Sequence, residues 1–127
     1  MTIAFICVLI AIILPQIWAA LAKKPLIKDG SYDNNASRVQ LAELQGPPQR
    51  AKWAEQNSYE TLPAFIAAVI IAHLAGASQG IMDLLAVVYV IARVLYGICY
   101  IKDWATPRSL VWMISFLAII GLFVAAF

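Results

Sequence analysis

Two ionisable residues, Glu60 and Arg93, stand inside otherwise apolar stretches of this 127-residue chain, each within a row of polar side chains at helical spacing. At 100° per residue, Arg50, Trp53, Asn57 and Glu60 fall within about 80° of one helix face. Tyr89, Arg93, Tyr96 and Tyr100 fall within about 60° of another. Two readings compete. Glu60 and Arg93 could simply neutralise each other while the tyrosines anchor an interface. A bare pair, however, requires neither Asn57 nor Arg50, nor a row that continues to the surface, so the two stripes predict a polar crevice that admits a charged solute. Arg108 adds a third side. Beside Pro107 in the first turn of a helix, it puts a cation where the macrodipole already contributes about half a positive charge. That costs a few tenths of a kcal/mol unless an anion benefits from both, so an anionic ligand or a thiolate is the expected occupant. The alternative is an arginine that anchors lipid headgroups. The chain has no metal-ligand cluster, no glycine-rich phosphate loop and no nucleophile-base-acid triad. Its single histidine, His73, lies about 140° from Glu60 around the same helix. Hydrolytic and metal-assisted chemistry are therefore not expected.

The elements that position these residues follow from composition. The chain is 63% hydrophobic and only 13% charged, where a soluble domain carries charge on about a quarter of its residues. An ordinary water-soluble globule and a disordered chain are both excluded. The net charge of +2, from nine basic residues interleaved with seven acidic ones, does not suit a nucleic-acid partner. One helical crossing needs about 20 apolar residues. Apolar runs over 2–22, 59–77, 81–101 and 110–127 predict helices over about 2–22, 50–77, 81–102 and 107–127, with a loop over 23–49: a single all-α integral membrane domain, a four-transmembrane-helix bundle. A short helix is expected around Ser37 to Gln45, ended by Gly46, Pro47 and Pro48. Thr106 and Pro107 read as the N-cap and first-turn proline of the last helix. Ala20, Leu21 and Ala22 resemble a signal-peptide cleavage site, but Lys23 and Lys24 follow the run and no basic residue precedes it, which fits a retained helix.

Lys23, Lys24, Lys28, Arg38, Arg50, Lys52, Lys102 and Arg108 fall in or beside the first and third connections, while the second connection and both ends have no basic residue. The positive-inside rule then predicts cytoplasmic first and third loops and both termini outside. With Arg50 and Lys102 at the surface, Glu60 lies about 15 Å deep and Arg93 about 13 Å deep, at one level. Cys7 and Cys99 differ in depth by about 18 Å, too far for a disulfide. Asp83 near the start of the third long helix suits that helix's dipole.

The string from Arg50 to Phe65, RAKWAEQNSYETLPAF, resembles the signature of MAPEG proteins, the membrane-associated proteins in eicosanoid and glutathione metabolism. Asn57, Glu60, Pro63 and Phe65 stand where that family repeats Asn, Glu, Pro and Phe. Arg93-x-x-Tyr96-x-x-x-Tyr100, with Arg108 eight residues further, is similar to the family's second motif. The resemblance spans nearly the whole chain. It implies a microsomal glutathione transferase-like protein, a homotrimer of four-helix protomers with glutathione bound between neighbours near the cytosolic face. It also implies binding roles for Asn57, Glu60, Arg93, Tyr96 and Tyr100, and stabilisation of the glutathione thiolate by Arg108, the candidate catalytic residue. The charges agree: glutathione's carboxylates suit arginines and its ammonium suits Glu60.

This chain departs from the pattern at Trp53, where catalytic members carry an arginine four residues before the asparagine. Arg50, a turn earlier, is the expected substitute in the glutathione site. The expected activity is conjugation or reduction of a lipophilic electrophile that partitions into the bilayer. The competing expectation is a non-catalytic lipid-binding or scaffold member of the same fold. Compact loops and the absence of a eukaryotic-style retention tail suggest a bacterial inner membrane.

Overall fold

The first helix runs seven residues past the apolar stretch that nucleates it. In the computed structural model, which describes residues 1–127, α1 spans Ile3–Asp29, followed by α2 (Ser37–Ala42), α3 (Gly46–Leu74), α4 (Gln79–Ile101) and α5 (Ala105–Ala125), with no strand. The expected stop at residue 22 fails because lysine is a good helix former. The helix continues through Lys23 and Lys24 to Gly30, whose left-handed backbone (φ 79°) closes it. Ala22 sits inside this helix, fully buried against Leu41 and Ala51, so the segment packs as part of the fold.

Pro47 and Pro48 open α3 rather than only ending what precedes it. They occupy its first turn, where proline's fixed φ is preorganised and its missing N–H has no partner to lose. The helix therefore begins at 46 instead of 50, and it ends at Leu74, short of 77. Likewise α5 starts before Thr106: Trp104 holds the N-cap position without a side-chain cap, and Thr106 and Pro107 lie inside the first turn. The short helix in the first connection forms as expected, though it stops at Ala42.

Helices α1, α4 and α5 are each long and apolar enough to cross a membrane. Helix α3 is the longest, but its first half carries Arg50, Lys52, Glu55 and Glu60. Both α3 and α4 pack against α1 and α5 and so form the centre of the bundle. Alanines at 4, 11, 68, 72, 86 and 118 line the core, and such small residues let helix backbones approach closely. Phe65 stacks on Tyr89 at 3.8 Å between centroids. Leucines and isoleucines cover the outside, as a lipid solvent allows.

Two local devices fix the ends. Asp83 Oδ1 accepts from the Ala4 backbone N–H (2.8 Å) and from Gln79 Nε2 (2.7 Å). The carboxylate thus serves the N-terminus of α1, where the dipole favours it, while on α4 it lies past the first turn and holds the Gln79 side chain. Between α4 and α5 the chain reverses within Lys102, Asp103 and Trp104. Asp103 adopts a left-handed φ of 61°, and Trp104 N–H bonds back to the Cys99 carbonyl (2.8 Å). His73 packs edge-on against Phe5, and Cys7 and Cys99 are buried free thiols.

Candidate functional site

Arg93 projects from the inner face of α4 and is 2% exposed. Its guanidinium lies over the Tyr96 ring, 4.2 Å from the centroid, and Nη2 donates to Asn57 Oδ1 at 2.7 Å. Asn57 Nδ2 in turn donates to Glu60 Oε2 at 2.9 Å. An arginine offers only donors and a carboxylate only acceptors, so this chain fixes which way the Asn57 amide points. Glu60 and Arg93 do lie on the same side of the bundle, but the direct pair weighed from the sequence does not form. The asparagine stands between them, and the one ion pair in the protein is Lys52 with Glu55 (2.8 Å), one turn apart on α3.

Around this chain the surface is concave. Trp53, Gln56, Asn57, Glu60, Tyr96 and Tyr100 line a crevice of about 260 Å³ between α3 and α4. Tyr96 and Tyr100 are also part of a second hollow, of about 320 Å³, with Arg108, Ser109, Trp112 and Met113. The two tyrosines meet edge to face at 5.5 Å and form the ridge shared by both hollows. Arg108 lies over the far side of that ridge, its guanidinium carbon 4.5 Å from the Tyr100 centroid. Trp53 closes the near side, 6.0 Å from the same ring.

The structure thus brings Asn57, Glu60, Tyr96, Tyr100 and Arg108 onto one continuous surface. Arg93 stands behind it and reaches the crevice only through Asn57 and Tyr96. Arg50 is elsewhere: its Nε donates to the Ile101 carbonyl (3.0 Å), where a cation suits the C-terminal end of α4. Helical spacing puts Arg50 on the same stripe as Asn57, but at that height α3 faces the end of α4, so the arginine caps a helix instead of lining the crevice. Tyr89, counted in the tyrosine stripe, lies below the crevice and contacts Thr61 Oγ1 at 3.0 Å. Beneath it the Phe65 stack is apolar. Gln56, Ser109, Trp112 and Met113 were not singled out from the sequence, although Gln56 lies three residues after Trp53 and Trp112 four after Arg108, both on the same helix faces.

Taken together, the long apolar helices define a membrane protein, with a polar crevice between two of them. A family model described as the MAPEG family matches residues 3–127, and the chain belongs to that family. Membership connects it to glutathione-related or eicosanoid metabolism. No curated protein matches it.

Proposed function

We propose that the protein is a membrane-bound glutathione-dependent transferase or peroxidase acting on lipophilic electrophiles. The observation that carries this reading is the continuous surface on which the Glu60 carboxylate, the Tyr96 and Tyr100 phenols and the Arg108 guanidinium meet. Glu60 uses Oε2 to accept from Asn57, which leaves Oε1 for the ammonium of the γ-glutamyl group. Arg108 supplies a cation for the sulfur. Lowering a thiol pKa from about 8.5 by two units requires about 2.7 kcal/mol of preferential thiolate stabilisation. One arginine at a helix N-terminus in a partly desolvated site is sufficient for that.

The thiol proton leaves to solvent, and the sulfur lone pair attacks the electrophilic carbon while the leaving group departs with its bonding electrons. With a hydroperoxide, sulfur takes the terminal oxygen and the alcohol leaves. A second glutathione then displaces water from the sulfenic acid to give the disulfide. The lipophilic partner enters from the bilayer, alongside Trp112 and Met113.

In this reading α3 is the fourth crossing, residues 1–127 form one four-span domain, and protomers assemble as a homotrimer. The basic first and third connections lie in the cytoplasm of a bacterial inner membrane. Titration with glutathione, read by thiolate absorbance in the ultraviolet, tests the activity. The parent protein should develop the thiolate signal at neutral pH, and Arg108→Ala should lose it while melting at the same temperature in the absence of ligand.

A non-catalytic lipid-binding or scaffold role is the second reading. It is favoured by Trp53 at the position of a family arginine and by Arg50 lying outside the crevice. A scaffold takes up no glutathione at millimolar concentration and gains no thermal stability from it.

A further inference from the structure

A separate cleft lies on the other side of Trp53. Arg38 from α2 and Gln49, Lys52, Trp53 and Gln56 from α3 surround about 420 Å³ over a floor formed by Leu41. That volume is within the range of small-molecule sites. The walls are preformed. Leu41 is buried against Ala22 and Ala51, and the Gln40 side chain ties α2 down by donating to the Ser31 carbonyl (2.8 Å) and accepting from Asp33 N–H (2.7 Å). Tyr32 donates to Ser37 Oγ at the start of the same helix.

The chemistry of this lining is selective. Lys52 is held by Glu55, whereas Arg38 has no ion-pair partner, and no acidic side chain lines the cleft. The charge it presents is therefore one unneutralised guanidinium. Trp53 is 41% exposed, giving a flat indole face for stacking, and two carboxamides supply hydrogen bonds. A bare phosphate has no use for the indole, and a neutral lipid has none for Arg38.

We propose that this cleft binds a planar aromatic monoanion, a carboxylate or sulfonate, with the ring on Trp53 and the charge on Arg38. Trp53 is then the shared wall of two sites, the cleft and the α3/α4 crevice. The site does not depend on the glutathione reading.

The test uses the intact protein in phosphatidylcholine nanodiscs, with binding measured by saturation-transfer NMR and calorimetry. Naphthoate is the probe, naphthylmethanol the uncharged control, and cyclohexanecarboxylate the non-planar control. Saturable binding of naphthoate over both controls is expected, about tenfold weaker in Arg38→Gln. Trp53→Leu should lose the preference for naphthoate over cyclohexanecarboxylate, and Arg108→Ala should leave binding unchanged. Equal uptake of naphthoate and naphthylmethanol, or undiminished binding in Arg38→Gln, would mean simple partition into lipid and overturn the proposal. So would an equal loss in Arg108→Ala, which would locate the anion in the crevice. Loss of glutathione binding alone would not affect it.

Discussion

Gly97→Ala is the sharpest test of how the bundle holds its polar face. A Cβ at this position would lie 2.1 Å from Trp18 Cζ2, 2.4 Å from Cε2 and 2.6 Å from Cη2, where ordinary contact begins at 3.4 Å. The indole would have to retreat by more than 1 Å. It has nowhere to go: Trp18 is 5% exposed and packed among Leu14, Ala54, Val94, Tyr100 and Ile101. Overpacking of this kind costs about 1–3 kcal/mol, and a rigid two-ring system clamped on all sides belongs at the upper end. For a chain of this size that corresponds to a melting temperature lower by roughly 10 °C. Tyr100 packs against the same cluster, so under the proposed function glutathione affinity should fall with it. Trp18→Leu leaves room for the methyl group, so the double variant should be more stable than the sum of the two single changes allows, by about 1 kcal/mol or more. Thermal melts of the four proteins in one detergent complete the cycle. Strict additivity, or a Gly97→Ala protein melting within a degree of the parent, would refute the packing argument.

Asn57→Ala should destabilise by about 1–3 kcal/mol, because it strips Arg93 Nη2 of its acceptor inside the bundle. Glu60→Gln, at an exposed position with an amide oxygen still able to accept from Asn57, should change melting by less than about 1 kcal/mol. The reverse ranking in thermal melts would reinstate a direct Glu60–Arg93 pair. Asp103→Gly should melt at or slightly above the parent temperature, while Asp103→Val should lose about 1–2 kcal/mol to its left-handed backbone; equal melting of the two would refute the strain. Cysteines introduced at Asn35 and Ser78, both exposed, should react with an impermeant maleimide from opposite sides of sealed vesicles, and labelling from one side would overturn the topology.

Legibility in the sequence followed the strength of the local signal. Continuous apolar runs of about 20 residues set the existence and order of the long helices, since a helix satisfies its backbone groups within a single segment. Their ends were harder to read. Read locally, the lysines mark a stop and the prolines a break, but Lys23 and Lys24 extend α1 and Pro47 and Pro48 start α3. In each case the residue tolerates helix at that position, and tertiary packing around Ala22 decides the outcome. Helical spacing puts Asn57, Glu60, Tyr96 and Tyr100 on two stripes, and all four line the crevice between α3 and α4. A stripe, however, specifies an angle and not what lies opposite it at each height. Arg50 therefore meets the end of α4, and Arg93 is covered by the ring of Tyr96 three residues later. The Arg38 cleft had no periodic signal, because its two walls come from a short helix and a long one whose relative placement depends on α2 folding back over Ala22 and Ala51.

The way the crevice is divided between near and distant parts of the chain bears on its function. Tyr96, Tyr100 and Arg108 belong to one helical hairpin, closed within three residues by the left-handed Asp103, so the cation-bearing half is set by short-range geometry. Asn57 and Glu60 come from α3, and Asn57 receives a hydrogen bond from Arg93 of α4. Burying a guanidinium in an apolar bundle carries a penalty, which Arg93 offsets through Asn57 and the Tyr96 ring. A hydrophobic residue at 93 would pack the bundle without that penalty, but it would free the Asn57 amide to turn and leave Glu60 without a fixed donor. The arginine is best understood as the element that couples the acidic wall of the crevice to the basic one. Its loss should therefore weaken ligand binding by more than it lowers stability.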